Sequence, residues 1–456
     1  MTAPTARPHQ FLLFRQRRFS PFFWSVFLGA VNDNLLKFAI VLLLTYRVPV
    51  PWLPPEVVGS ALGGLFMLPS VLLSATTGQW ADKVPLDGLI RWGKSAEIVM
   101  MLLAGWALWQ GDAVTMLVCV LLSGMHVTLF STIKYAYLPR HLAPDELTGG
   151  NGLLEMGTFT AILLGTVAGG LLLSPGVTSI APLIVAVMVL AVLGRLAARG
   201  IPATPALSPA LRMNWNVLAE TWRNLDRIHH QPVLWMSILG ISWMWFFGAV
   251  FLTLFPVLSM NVLHAGEDVA SVLLVLTSVG IAVGALLCEG LSRSRKGEAP
   301  RLGLVLVGGL GMAAFGLDMA WVVHQIAGDP GMAAVKSYGL ADFVTRPLHW
   351  RGAADQVLMA MSIGVFSVPL YAQMQYLAEP ERRARIVAAN NIVNAVFILV
   401  SAAMTGVLAA LGFGLGAIFA ITCAMQFTVL LLAMWWQPVL WQEAVAWARR
   451  WGREPA

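Results

Sequence analysis

Twelve apolar runs, each long enough to cross a bilayer, leave this chain few folds to choose from. A helix needs about 20 apolar residues to span the hydrocarbon core. Such runs fall near 20–46, 56–78, 95–110, 113–139, 149–173, 177–198, 232–259, 268–291, 301–323, 355–378, 387–411 and 414–437. Lipid offers no partner for backbone polar groups, so runs of this length become helices. Only 11% of the residues are charged and 58% are apolar, whereas a soluble domain is about a quarter charged. That balance excludes a soluble enzyme, a disordered chain and a nucleic-acid binder. It predicts an all-α integral membrane protein. Cys119, Cys288 and Cys423 lie apart in apolar runs and offer no disulfide framework. The first run is too long for a cleaved signal peptide and is expected to stay as a span.

Charge placement orients the spans. With the N-terminus inside, 24 of the 29 Lys and Arg fall on the inner side. They include Arg7, Lys83, Arg91, Lys94, Arg140, the arginines from Arg195 to Arg227, Arg293, Arg295, Lys296, Arg385 and Arg453. The outer side receives four, Arg47, Lys336, Arg346 and Arg351, and Lys37 lies within span 1. This asymmetry predicts that both termini are cytoplasmic. The longest inner connection, 199–231, separates six spans from six. Phe130-Ser131-x3-Tyr135-Ala136 in span 4 recurs as Phe366-Ser367-x3-Tyr371-Ala372 in span 10. Gly29-Ala30-Val31 in span 1 recurs as Gly248-Ala249-Val250 in span 7. Such a duplication is the plan of a two-bundle secondary transporter with its site near the midplane. The expected organisation is a six-helix bundle over 1–198, a cytoplasmic loop over 199–231, a second six-helix bundle over 232–437 and an interfacial helix within 438–456. Gly59 and Gly63, Ala161, Gly165 and Gly169, and Gly280 and Gly284 stand at small-residue spacing and predict close helix packing.

No P-loop, H-E-x-x-H, G-x-S-x-G or metal-spaced Cys/His set is present, and no cofactor or metal is expected. The informative residues are charges within spans, each costly there unless paired or facing water. Asn32-Asp33-Asn34 and Lys37 lie in span 1. Thirteen residues past Ser20 places Asp33 roughly 20 Å deep. Asp33 and Lys37 are one turn apart and are expected to pair, either as a structural couple or as a substrate-binding one. Lys134 and Tyr135 close span 4, where the lysine is either a snorkelling charge or a ligand. Asn151 and Glu155 share a face of span 5. Gln373 and Gln375 on span 10, and Asn390 and Asn394 on span 11, are candidate cavity amides. His126 has no partner nearby in sequence and is expected to be a packed histidine. Between spans 2 and 3, Gly78-x3-Asp82-Lys83 permits a close turn. There Asp82 is suited to hold a helix N-terminus or a neighbouring arginine as a gating latch.

Gly78-x3-Asp82-Lys83 resembles the loop 2–3 motif of the major facilitator superfamily, departing from it after Lys83, where Arg91 is the candidate for the basic role. Three stretches resemble the lysophospholipid transporter family. They are Asn32-Asp33-Asn34-Leu35-Leu36-Lys37, Lys134-Tyr135-x-Tyr137-Leu138-Pro139, and Asn151-Gly152-Leu153-Leu154-Glu155-x-x-Thr158. Gly240-Ile241-Ser242-Trp243 is similar to span 7 of variants fused to acyltransferase and acyl-carrier-protein ligase domains, although span 7 here has no arginine. The resemblance implies the twelve-helix major facilitator fold in a bacterial inner membrane. It also implies flipping of lysophospholipids such as lysophosphatidylethanolamine to the inner leaflet, where they are reacylated. The chain ends after span 12, so the reacylating acyltransferase/acyl-carrier-protein ligase is expected to be a separate partner. In this reading Lys37 or Lys134 meets the phosphate and Asp33 or Glu155 the ammonium. The rival readings are a proton-coupled exporter of a lipophilic drug or siderophore and a non-transporting lipid scaffold.

Overall fold

The computed structural model describes residues 10–48, 50, 52, 55–174, 178–265, 267–292, 298–329, 343 and 345–451. Arg7, Arg293, Arg295, Lys296, Lys336 and Arg453, assigned to sides above, lie outside the described residues. In chain order the helices are α1 Ser20–Leu42, α2 Pro55–Lys83, α3 Leu86–Gln110, α4 Ala113–His141, α5 Leu147–Leu172, α6 Ala181–Arg199 and α7 Val217–His229. There follow α8 Pro232–Asn261, α9 Glu267–Ser292, α10 Gly303–Ala327, α11 Pro347–Leu377, α12 Arg383–Ala410, α13 Leu415–Trp436 and α14 Val439–Trp451. Twelve of these, all but α7 and α14, have the length of a membrane span.

Among the described residues, eleven helices are also apolar enough to cross a membrane. The exception is α3, which carries Asp87, Arg91, Lys94 and Glu97 in its first half. Those charges hid its start. The helix begins at Leu86, not near residue 95, and only Val84 and Pro85 separate it from α2. At its other end the chain turns sharply into α4. Gly111 closes α3 with φ +68°, a left-handed conformation that glycine adopts without strain. Asp112 then caps α4, its carboxylate accepting from Val114 N at 3.1 Å and from the Thr115 hydroxyl at 2.6 Å. The Thr115 bond holds the Asp112 carboxyl below its usual range.

Two compact units divide the chain. The first contains Met1–Ala143, Thr160–His230 and Leu377–Ala395; the second contains Pro144–Phe159, Gln231–Tyr376 and Val396–Ala456. Helices α5 and α12 therefore each contribute one part to either unit. The first unit has a core of Leu35, Leu36, Ile40, Leu62, Met101 and Leu183, drawn from α1, α2, α3 and α6. Within it α5 lies directly on α1: a Cβ on Gly165 would stand 2.5 Å from the Val31 carbonyl oxygen. The Gly59 and Gly63 pair behaves otherwise: among the described residues nothing lies within 4 Å of a Cβ built on either, so neither glycine admits a close helix approach.

The 199–231 connection is not a bare loop. Residues 201–216 run as a strap bonded to α2 and α3, with Leu86 N donating to Thr204 O and Ser208 N to Asp82 O. Gln79 and Asn214 exchange two hydrogen bonds of 3.0 and 2.6 Å. The strap leads into α7, capped by Asn216.

In the second unit, Phe247, Phe251 and Phe419 join α8 to α13, the last two stacked at 4.5 Å. Gly280 and Gly284 on α9 meet α11, where a Cβ would strike Ala360 and Met361 respectively. Helix α14 docks on this unit: the Trp447 indole donates to the Leu291 carbonyl at 2.7 Å, at the end of α9.

Candidate functional site

The first unit encloses a charged cluster built by three helices. Helix α1 supplies Asn32 and Asp33, α3 supplies Lys94 and Glu97, and α4 supplies His126. Lys94 and Glu97 are one turn apart and pair at 2.8 Å, with neither side chain exposed. Glu97 also accepts from Asn32 Nδ2 at 3.0 Å. Asp33 accepts from His126 Nδ1 at 3.0 Å, since a carboxylate offers only acceptors. The other ring nitrogen of His126 stands 3.5 Å from Glu97 Oε2. Imidazole thus lies between two carboxylates on different helices. With a neutral ring the four ionisable groups carry one net negative charge; with a protonated ring they carry none.

Small residues make room for this. The Lys94 ammonium occupies the place where a Cβ on Gly29 would be, and it lies 4.5 Å from the centre of the Phe130 ring. Burying such charges is costly unless they are paired and hydrogen-bonded. Here most polar atoms have a partner. Asp33 Oδ1, Asn32 Oδ1 and His126 Nε2 are exceptions, buried without a hydrogen bond among the described residues.

The cluster differs from the sequence expectation in three respects. Asp33 pairs with His126 and not with Lys37. Lys37 instead contacts Asn34 Oδ1 at 3.4 Å and the Phe66 ring at 4.5 Å, with Asp33 still close enough to act on it electrostatically. His126 is not a packed bystander but the link between α1 and α3. Lys94, assigned to an inner loop, is a wholly buried membrane charge. The Lys94–Glu97 spacing was a signal available in the sequence, obscured by the late start given to α3.

A second polar focus lies at the α2–α3 turn. Gly78 and Asp82 share one face of α2, and that face meets the first turns of α12. A Cβ on Gly78 would be 2.7 Å from the Ala388 Cβ and 3.0 Å from the Ala384 carbonyl oxygen. Glycine is what admits this approach. Asp82 then accepts from Ala384 N at 3.2 Å and from Arg385 Nε at 3.0 Å, and Arg140 stands at 3.8 Å. It therefore holds a helix N-terminus and two arginines together. Arg91 does not take part: it pairs with Asp87 at 3.3 Å and donates to the Ile201 carbonyl, fastening the strap. Lys83 is half-buried beside this latch.

In the second unit, Asn151 and Gln375 exchange amide hydrogen bonds of 2.9 and 2.8 Å, both fully buried. Glu155 is buried one turn beyond Asn151. Gln373 Oε1, on the same helix as Gln375, has no hydrogen-bond partner among the described residues. Trp245 donates to the Tyr371 hydroxyl at 3.0 Å, and Trp243 donates to Gln426. In the first unit, the Lys134 amine lies 4.5 Å from the buried Tyr135 ring. Asn390 is buried with neither amide atom bonded among the described residues, while Asn391 donates to Ser131 at 2.9 Å. Asn394 is buried one turn on. Of the predicted site residues, Asn32 and Asp33 join the charged cluster, Gly78 and Asp82 the latch, and Asn151 and Gln375 the buried amide pair.

The sequence profile described as the Major Facilitator Superfamily matches residues 22–354. A lysophospholipid transporter, LplT, of Photorhabdus laumondii subsp. laumondii is 29% identical over 268 residues, which is 57% of this chain and 63% of that protein. The protein of the same name from Cronobacter sakazakii is 32% identical over 150 residues, 32% of this chain and 34% of that protein. The matched region thus spans less than two thirds of the length of these curated relatives. Among solved structures, the fucose:proton symporter FucP of E. coli superposes with a TM-score of 0.67 at 13% identity, covering 94% of this chain and all of that one. A bacterial homologue of the iron transporter ferroportin gives 0.60 at 15% identity, covering 94% and 98%. At these identities the structural likeness concerns the fold.

Proposed function

The chain belongs to the major facilitator superfamily, and from that premise we propose that it is a secondary transporter of lysophospholipids. It moves lipids such as lysophosphatidylethanolamine from the outer to the inner leaflet of a bacterial inner membrane by alternating access. Residues 1–198 and 232–437 act as the two bundles, joined by 199–231, and both termini are cytoplasmic. The excess of Lys and Arg on one side supports that orientation, although the burial of Lys94 removes one charge from it. A separate acyltransferase/acyl-carrier-protein ligase reacylates the product.

The observation that carries the reading is Asp33. It is buried within α1, fixed through one oxygen by His126, and its other oxygen is left without a hydrogen bond. That oxygen is an acceptor whose charge a lipid ammonium would satisfy, with the phosphate near Lys37 or Lys134. The relatives named as lysophospholipid transporters support the substrate class. Losing one charge-assisted contact costs about 1.5–3 kcal/mol, or roughly ten- to a hundredfold in affinity. Asp33→Asn keeps the shape and removes the charge. In proteoliposomes it should strongly weaken flipping of lysophosphatidylethanolamine and weaken lysophosphatidylglycerol, which has no ammonium, less. Equal loss for both headgroups would assign Asp33 to structure instead.

One observation favours the rival reading, a proton-coupled exporter. His126 sits between two carboxylates, an arrangement suited to carrying a proton. Flipping that proceeds in vesicles without any gradient would exclude that rival; strict dependence on a proton gradient would favour it.

A further inference from the structure

Helices α2 and α3 diverge over α4 to leave a groove of about 570 Å³ on the first unit. That volume is within the range of small-ligand pockets. Its walls are Leu73 and Thr76 of α2, Ala96 and Leu103 of α3, and Leu122 and Met125 of α4. Glu97 and His126 back it, but their side chains are 0% and 8% exposed and turn towards one another. The surface of the groove is therefore apolar.

Its length and its mouth are informative. From Trp92 to Leu103 along α3 is about 16 Å at 1.5 Å per residue, half of a hydrocarbon core about 30 Å thick. One end is ringed by Trp80, Trp92 and Trp215, the first two in edge contact at 5.5 Å. Tryptophan concentrates at the headgroup level of a membrane. Next to that ring, α7 exposes Leu218 and Trp222 one turn apart, as a helix lying in the interface does. Basic residues stand at the same level. Lys83 follows Trp80 by three residues on α2, and the exposed Arg212 precedes Met213, which lines the groove.

We infer that this groove is a binding site for a single-chain phospholipid in the inner leaflet, its acyl chain along α3 and its phosphate between Lys83 and Arg212. The inference rests on the orientation and substrate class proposed above. A lipid with two chains gains less here, because one chain would have to splay away from the other to enter.

The test uses the full chain in proteoliposomes of phosphatidylethanolamine and phosphatidylglycerol, with no gradient. Lysophosphatidylethanolamine bearing a diazirine at the chain end is photolysed, and labelled peptides are mapped. Labelling at 99–103 and 122–125 should exceed labelling of the lipid-exposed α6 face of Val185, Val189 and Leu196 about tenfold, the ratio that one charge-assisted phosphate contact gives. The excess should vanish in Ala96→Trp, and in Val99→Trp, where the position is 66% exposed and the new ring disturbs no core. It should also vanish in the Lys83→Gln/Arg212→Gln pair, and a two-chain probe should show no excess. Equal labelling of groove and α6, an excess surviving any of these substitutions, or the same excess from the two-chain probe overturns the assignment. The readout is occupancy and not flipping. A protein that flips no lysophospholipid but shows the excess keeps the groove and loses the transport reading; flipping without the excess does the reverse.

Discussion

Replacing Lys94 with methionine removes one charge from a wholly buried ion pair of the first unit and nearly preserves the volume. Lys94 and Glu97 are 2.8 Å apart, and neither side chain is exposed. Without the ammonium, Glu97 keeps Asn32 at 3.0 Å and a ring nitrogen of His126 at 3.5 Å. Neither replaces a full positive charge. Leaving an uncompensated buried charge costs about 3–5 kcal/mol, and the lost contact with the Phe130 ring adds about 0.5–2 kcal/mol. Such a loss is comparable with the whole stability of many domains. The Lys94→Met/Glu97→Gln double variant removes both charges, and replacing a buried pair in this way is often neutral. Its stability should therefore lie closer to wild type than that of either single variant. Equilibrium unfolding in mixed micelles, followed by circular dichroism, measures all four proteins of the cycle. Additive losses in the double variant would refute the argument. So would a Lys94→Met protein within about 0.5 kcal/mol of wild type, the range of an ordinary surface substitution.

Asp82→Asn should slow transport while leaving lysophospholipid affinity nearly unchanged, because a latch acts on the barrier between states; equal losses in binding and rate, measured by equilibrium binding and flipping, would remove Asp82 from gating. Gly165→Leu should destabilise the first unit by about 1–3 kcal/mol through overpacking against α1, whereas Gly63→Leu, with open space around it, should unfold like wild type in the same micelle assay. Gln375→Leu leaves the buried Asn151 Oδ1 without its donor, while Nδ2 keeps the Leu147 carbonyl, and should cost about 1–3 kcal/mol, which Asn151→Leu in the same chain should largely restore.

Apolar length located the helices well because lipid leaves the backbone no alternative to internal hydrogen bonds. It places two helix starts late, at α3 and at α11, which begins at Pro347 and not near residue 355; the one at α3 has a specific origin. Hydropathy treats Lys94 and Glu97 as two exposed charges, whereas in the fold each cancels the other. A similar limit explains Asp33. Rules for neighbours on one helix offered only Lys37, one turn away, and the actual partner lies 93 residues further along the chain. His126 acquired its role from the packing of α4 on α1, to which its own sequence surroundings contribute nothing. The Gly78-x3-Asp82 spacing was legible as a close approach followed by a carboxylate. Which helix approaches, and that Arg385 supplies the guanidinium, required the tertiary fold. The glycine pairs make the same point: equal spacing at 59/63 and 165/169 leads to open space in one case and backbone contact in the other.

The composition of the first unit also sets an order of events during synthesis. Its last segment, Leu377–Ala395, emerges nearly 150 residues after His230, the end of the preceding one. Until then the carboxylate of Asp82 lacks both Ala384 N and Arg385, and the notch at Gly78 has nothing to receive. The nascent protein therefore waits in the membrane with its first unit open while α8 to α11 are inserted. Chains that terminate before Arg385 keep that unit unfinished however well their earlier helices insert. A quality-control protease that reads an unsealed α2–α3 turn would thus distinguish complete from incomplete copies, and substitutions as late as Arg385 would register as failures of the earliest helices to mature.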